Sequence, residues 1–81
     1  MTTETFTNEV KQIIDEARNK GEEYVVIKSG DVHRAVGGYP GRNHNMPSCC
    51  EAMYKLMGAK DEVLTAPPSG KGATLSIKYY L

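Results

Sequence analysis

Residues 37–53 read GGYPGRNHNMPSCCEAM. The stretch holds three of the chain's eight glycines, two of its four prolines, both cysteines and one of its two histidines. Gly37 and Gly38 stop any preceding helix, because glycine enters positive-φ backbone without a steric cost. Pro40-Gly41 reverses the chain. Pro47 then suits the first position of a new helix, where its missing N–H has no intrahelical partner to lose. The stretch is therefore a turn between two helices, a metal knot, or a nucleophile beside its base, and the flanking residues must decide.

Upstream, Ser29-Gly30-Asp31 predicts a helix start, with Ser29 as N-cap and Asp31 in the first turn. Val32, Ala35 and Val36 form the expected buried face, and the helix is only about two turns long before Gly37-Gly38 ends it. Downstream, Cys50, Met53, Leu56 and Met57 form the apolar stripe of a third helix that Gly58 ends. Further out, residues 4–20 carry Phe6, Val10, Ile13, Ile14 and Ala17 on one helical face, closed by Gly21. Tyr24-Val25-Val26-Ile27 is a β-branched run suited to a short buried strand. The tail predicts a hairpin: Glu62–Ala66, a loop from Pro67 to Gly72, and a second strand from Ala73 to Leu81. On that strand Leu75, Ile77, Tyr79 and Leu81 share one face. The expected core is Phe6, Val10, Ile13, Ile14, Val25, Ile27, Val32, Val36, Met53, Leu56, Val63, Leu75, Ile77 and Tyr79.

The chain has 81 residues, 40% of them hydrophobic and 25% charged, with no net charge. That is one small soluble domain spanning 1–81, with a thin core. Nothing approaches the run of about eighteen apolar residues that a membrane span needs. The polar, acidic N-terminus lacks the blocks of a signal peptide, so the reading is cytoplasmic, with no membrane partner. Cys49 and Cys50 are adjacent and have no others to pair with, which fits reduced thiols rather than a secreted disulfide scaffold. Charge is uneven: residues 1–23 hold six acids and three bases (−3), and residues 24–81 hold seven bases and four acids (+3). An acidic first helix and a basic remainder point to an anion-facing side.

His33, His44, Cys49 and Cys50 are poorly spaced for a zinc set, because helix neighbours diverge by about 100°. No metal or cofactor is expected. Cys50 reads instead as a small core residue with Cys49 half-buried beside it. A Cys49 thiol activated by a helix N-terminus and His44 is conceivable chemistry, but the chain shows no orienting acid beside His44, and the reading is non-enzymatic. Glu22-Glu23 and Asp61-Glu62 sit at element boundaries and read as solvated turn charges. The SGKG at 69–72 lacks the spacing and the following helix of a phosphate-binding loop.

The order helix, strand, helix, turn, helix, strand, loop, strand over Glu4–Leu81 resembles the winged helix-turn-helix superfamily. Phrases such as SGDVHRAVGGYPGRNHNMPSCCEAM and APPSGKGATLSIKYYL also resemble those of small uncharacterised prokaryotic proteins. The connector from Gly37 to Met46 is longer than the turn of about three or four residues in a simple helix-turn-helix. The resemblance implies an α+β winged helix: three helices, a short first strand and a C-terminal hairpin wing. It implies double-stranded DNA as partner and a role in transcription regulation. Residues Pro47 to Met57 would be the recognition helix, with Ser48, Glu51, Tyr54 and Lys55 outward. Arg42, Asn43, His44 and Asn45 would precede it at the groove, and Lys71 would tip the wing, with Ser69 and the amides of Gly70 and Gly72 in reach of phosphate. The alternative is a non-catalytic protein-interaction or assembly module of the same fold. Tyr79, Tyr80 and Leu81 would then complete a homodimer or partner face, with Tyr80 pointing outward.

Overall fold

A computed structural model of the chain describes residues 3–37, 45–68, 70 and 72–81. It is an α+β fold of three helices and a three-stranded antiparallel sheet. The elements are α1 (Thr3–Asn19), β1 (Tyr24–Lys28), α2 (Ser29–Val36), α3 (Met46–Lys55), β2 (Glu62–Thr65) and β3 (Ser76–Tyr80). The sheet order is β1-β3-β2, so the last strand lies in the middle and ties both ends of the chain together. No helix among the described residues is long and apolar enough to cross a membrane.

The apolar stripe of α1 buries Phe6, Val10 and Ala17, with Ile13 and Ile14 packed at the margin. Past Asn19 the chain turns at Gly21, whose φ of 77° is open to glycine at low cost. The N–H of Glu22 returns to the Ala17 carbonyl at 3.1 Å, which closes the helix end. β1 then pairs with β3 in unbroken register, from Tyr24↔Tyr80 to Lys28↔Ser76.

β1 runs into α2 with no intervening residue. Ser29 is the first residue of the helix, not its N-cap; Lys28 holds that position in extended backbone. The first-turn N–H groups, which a helix cannot satisfy itself, reach across to the end of the chain. Ser29 N–H donates to the Leu75 carbonyl at 2.8 Å, and Gly30 N–H donates to the Ala73 carbonyl at 3.1 Å. The Ser29 hydroxyl donates to the Gly72 carbonyl. A Cβ at Gly30 would sit 3.0 Å from the Ala73 oxygen, so a larger residue would push that backbone aside by a few tenths of an ångström.

That docking turns α2 relative to the expected face. Ser29, Gly30, Val32 and His33 are buried, while Ala35 is exposed. It also shortens β3, which begins at Ser76 rather than Ala73, because the carbonyls of Ala73 and Leu75 serve α2 instead of a neighbouring strand. Gly37 closes α2 at φ 108°, as its expected stop requires, and donates its N–H to the His33 carbonyl at 2.8 Å.

The core gathers Phe6, Val10, Val32, Met53, Leu75, Ile77 and Tyr79 between the helices and one face of the sheet. Val63, expected inside, is 41% exposed. It lies on edge strand β2, where the register slips between Val63 and Thr65 and no further strand covers it. Leu56 is the C-cap of α3 rather than a residue of its stripe, and the helix ends at Lys55. Asp61, expected as a solvated charge, is half-buried. Its Oδ2 accepts the Gly58 N–H at 2.7 Å and its Oδ1 accepts the Tyr80 N–H at 2.8 Å, which fastens the approach to β2 onto β3.

Candidate nucleic-acid interface

α3 begins with Pro47 in its first turn, as the helix-opening role of proline requires. Five of its ten residues are buried: Met46, Cys49, Cys50, Ala52 and Met53. Adjacent residues 49 and 50 are both buried because the helix is enclosed on two sides. Cys49 faces α2, with its Sγ 3.5 Å from the Ser29 carbonyl. Cys50 faces the loop after β2, with its Sγ 3.4 Å from the Gly72 carbonyl. The expected half-burial of Cys49 is thus corrected to full burial.

Burial, reinforced by the neighbouring Cys50 thiol, pushes the Cys49 thiol up to about 12. A helix N-terminus alone would lower it, but here desolvation dominates, and the thiol stays protonated across the neutral range. Among the described residues no three His, Cys, Asp or Glu side chains converge as a metal set.

The start of α3 is positioned by a residue the sequence reading left unassigned. His33 is fully buried, and its ring stacks at a tilt on Phe6 with centroids 4.8 Å apart. Its Nε2 accepts the backbone N–H of Asn45 at 2.7 Å, which places the ring proton of neutral imidazole on Nδ1. Asn45 in turn accepts the Cys49 N–H on its carbonyl at 3.1 Å. One histidine on α2 thereby fixes the residue from which α3 starts.

The outward side of α3 carries Glu51 and Lys55, both exposed, with Ser48 and Tyr54 half-buried. Tyr54 is not free to contact a ligand with its hydroxyl, which donates to the Gly70 carbonyl at 2.7 Å. The loop between β2 and β3 is thus fastened to α3 at Gly70 and Gly72, and to α2 at Gly72 and Ala73. Of the expected site residues, Asn45, Ser48, Tyr54 and Lys55 lie in or beside α3. Arg42, Asn43, His44 and Lys71 lie outside the described residues, as do Ser69, Gly38, Tyr39, Pro40 and Gly41.

No protein-family model, curated protein or solved structure matches the chain. The site is therefore read from its own geometry.

The opposite surface of the sheet has a different character. Tyr24, Val26 and Tyr80 are exposed there, and the Lys78 ammonium lies 4.2 Å from the Tyr24 ring centre and 5.0 Å from that of Tyr80. Tyr80 points outward as expected. Tyr79 does not belong to that surface, since it is buried on the helix side.

Proposed function

We propose that the chain is a winged-helix DNA-binding domain acting in transcription regulation. α3 is its recognition helix and the loop between β2 and β3 its wing. The observation that carries this reading is the arrangement of elements: helix, strand, helix, helix, then a hairpin whose second strand lies between the other two. In that arrangement a hairpin loop flanks a helix whose outward side carries Glu51 and Lys55, and a helix so placed is the element that enters a DNA groove. Support also comes from sequence. Arg42, Asn43, His44 and Asn45 immediately precede α3, and arginine and asparagine have the side chains best shaped for guanine and adenine edges. Lys71 lies between Gly70 and Gly72, both of which are anchored to α3, and a lysine there serves a phosphate.

Binding of duplex DNA at two salt concentrations tests the reading. The affinity is expected to fall steeply as salt rises, through release of counterions from the neutralised phosphates. Absence of binding at low salt would overturn it.

A second reading, a non-catalytic assembly module, is favoured by one observation: Tyr24, Val26, Val63, Leu64 and Tyr80 are large hydrophobic residues left exposed. Capture of a protein partner without DNA binding would support that reading.

A further inference from the structure

The two outer edges of the sheet are built differently. β2 has four residues, a register slip between Val63 and Thr65, and Pro67-Pro68 close behind it. Short length, irregular register and proline all hinder the addition of another strand. β1 has none of these. It has five residues paired with β3 without interruption, contains no proline, and leaves Val26 48% exposed.

The β1 sequence, Tyr24-Val25-Val26-Ile27-Lys28, is complementary to itself when reversed about Val26. Val26 then meets Val26 of a second copy, and Val25 meets Ile27. Tyr24 meets Lys28, an ammonium beside an aromatic ring; Tyr24 already makes such a contact within the chain, to Lys78. Antiparallel pairing in this register sets no like charges opposite each other across β1, and its three central positions are β-branched residues, which pack well on a pleated sheet.

We propose that β1 is a docking edge for a second copy of this chain, paired antiparallel about a two-fold axis through Val26, so that the two sheets become one of six strands. The contact is isologous and closes on itself, giving a dimer rather than a fibre. Five residues per edge form a small interface, so the dimer is weak. The inference does not depend on DNA binding.

The test is sedimentation equilibrium without DNA, from about 10 µM to about 1 mM chain, the range in which a weak contact is read. The parent chain is expected to move from monomer to dimer across it. Val26→Lys and Val26→Glu are each expected to remain monomeric, because each sets like charges face to face on the axis. Mixed one to one, they are expected to form a heterodimer at least tenfold tighter than either homodimer. Val26 is exposed but stands opposite Lys78 across β1 and β3, so both variants should keep the parent's circular dichroism spectrum, with Val26→Lys melting below the parent because it faces Lys78 and Val26→Glu melting no lower. An intact spectrum in both, and loss of dimer in the variant that melts no lower, separate loss of pairing from loss of fold. A parent that stays monomeric at 1 mM, variants that dimerise like the parent, or a mixture that forms no heterodimer would each overturn the proposal.

Discussion

The hydroxyl of Tyr79 donates a 2.7 Å hydrogen bond to the carbonyl of Met53 in the buried interior. It joins the central strand β3 to the last turn of α3. Met53 is itself fully buried, so water cannot readily replace the donor. Tyr79→Phe keeps the ring and strands the carbonyl. It is expected to lower stability by about 1–3 kcal/mol, the usual penalty for a buried group without its partner. Urea denaturation with an unchanged slope would check it. A variant as stable as the parent would show that the bond contributes nothing net.

His33→Ala removes both the ring that packs on Phe6 and the acceptor for the Asn45 N–H. The expected loss is about 2–5 kcal/mol, that of a large core truncation. A second readout is local. Amide exchange at Cys49, whose N–H bonds the Asn45 carbonyl, should accelerate more than exchange in β3. Equal acceleration at both places would mean that His33 acts only through global stability.

Alkaline pH should unfold the domain through groups that are buried neutral. Burial raises the Cys49 thiol from 9.0 to about 12. Burial, with Asp61 and Cys49 nearby, also raises the Tyr79 phenol above its ordinary 10.0. For a group whose folded pKa lies above its unfolded one, the stabilisation is complete below the unfolded value and disappears as pH climbs toward the folded one. Melting temperature should therefore be flat from pH 7 to about 8 and fall from about pH 9 upward. Cys49→Ala, compared with its own melting temperature at pH 7, should fall less steeply. Identical alkaline slopes for parent and variant would remove the thiol from this account.

Arg42→Ala and Lys71→Ala are each expected to weaken duplex DNA binding about tenfold at low salt, with little change in melting temperature. If both act through phosphates, each should reduce the salt slope by about one. If both variants bind DNA as the parent does, α3 and its flanking segments are not the recognition surface.

Legibility of the sequence varied with how local the deciding contact is. The α1 stripe and the existence of a strand from Tyr24 to Ile27 were plain, because helical and strand periods are set by neighbours in sequence. That strand was expected buried, yet it is an edge with Tyr24 and Val26 exposed and only Ile27 inside. The face of α2 was misread in part: Ala35 looked apolar and His33 polar, yet contacts from residues 72–75, some forty positions away, turn His33 inward. The same contacts stop β3 short of Ala73. Burial of Cys49 could not be inferred from helix geometry, since it depends on α3 being enclosed by α2 on one side and the β2–β3 loop on the other. Val63 followed strand alternation but sits on an edge, and alternation does not say which strands are edges. The α3 start expected at Pro47 was legible to within one residue, since the helix begins at Met46; the histidine that holds it was not, because its partner is a backbone amide twelve residues on.

The junction of Lys28 and Ser29 makes the chain's length at that point non-negotiable. A single residue inserted there would rotate α2 by about 100° and advance it by about 1.5 Å relative to the strand. Glycine would leave the Ala73 oxygen, a side chain would arrive in its place, and His33 would swing away from Asn45. The turn around Gly21, with nothing within 4 Å of where a Cβ would lie, should absorb the same insertion. Among homologues of this chain, gaps in alignment should gather at the Gly21 turn and be missing between residues 28 and 29.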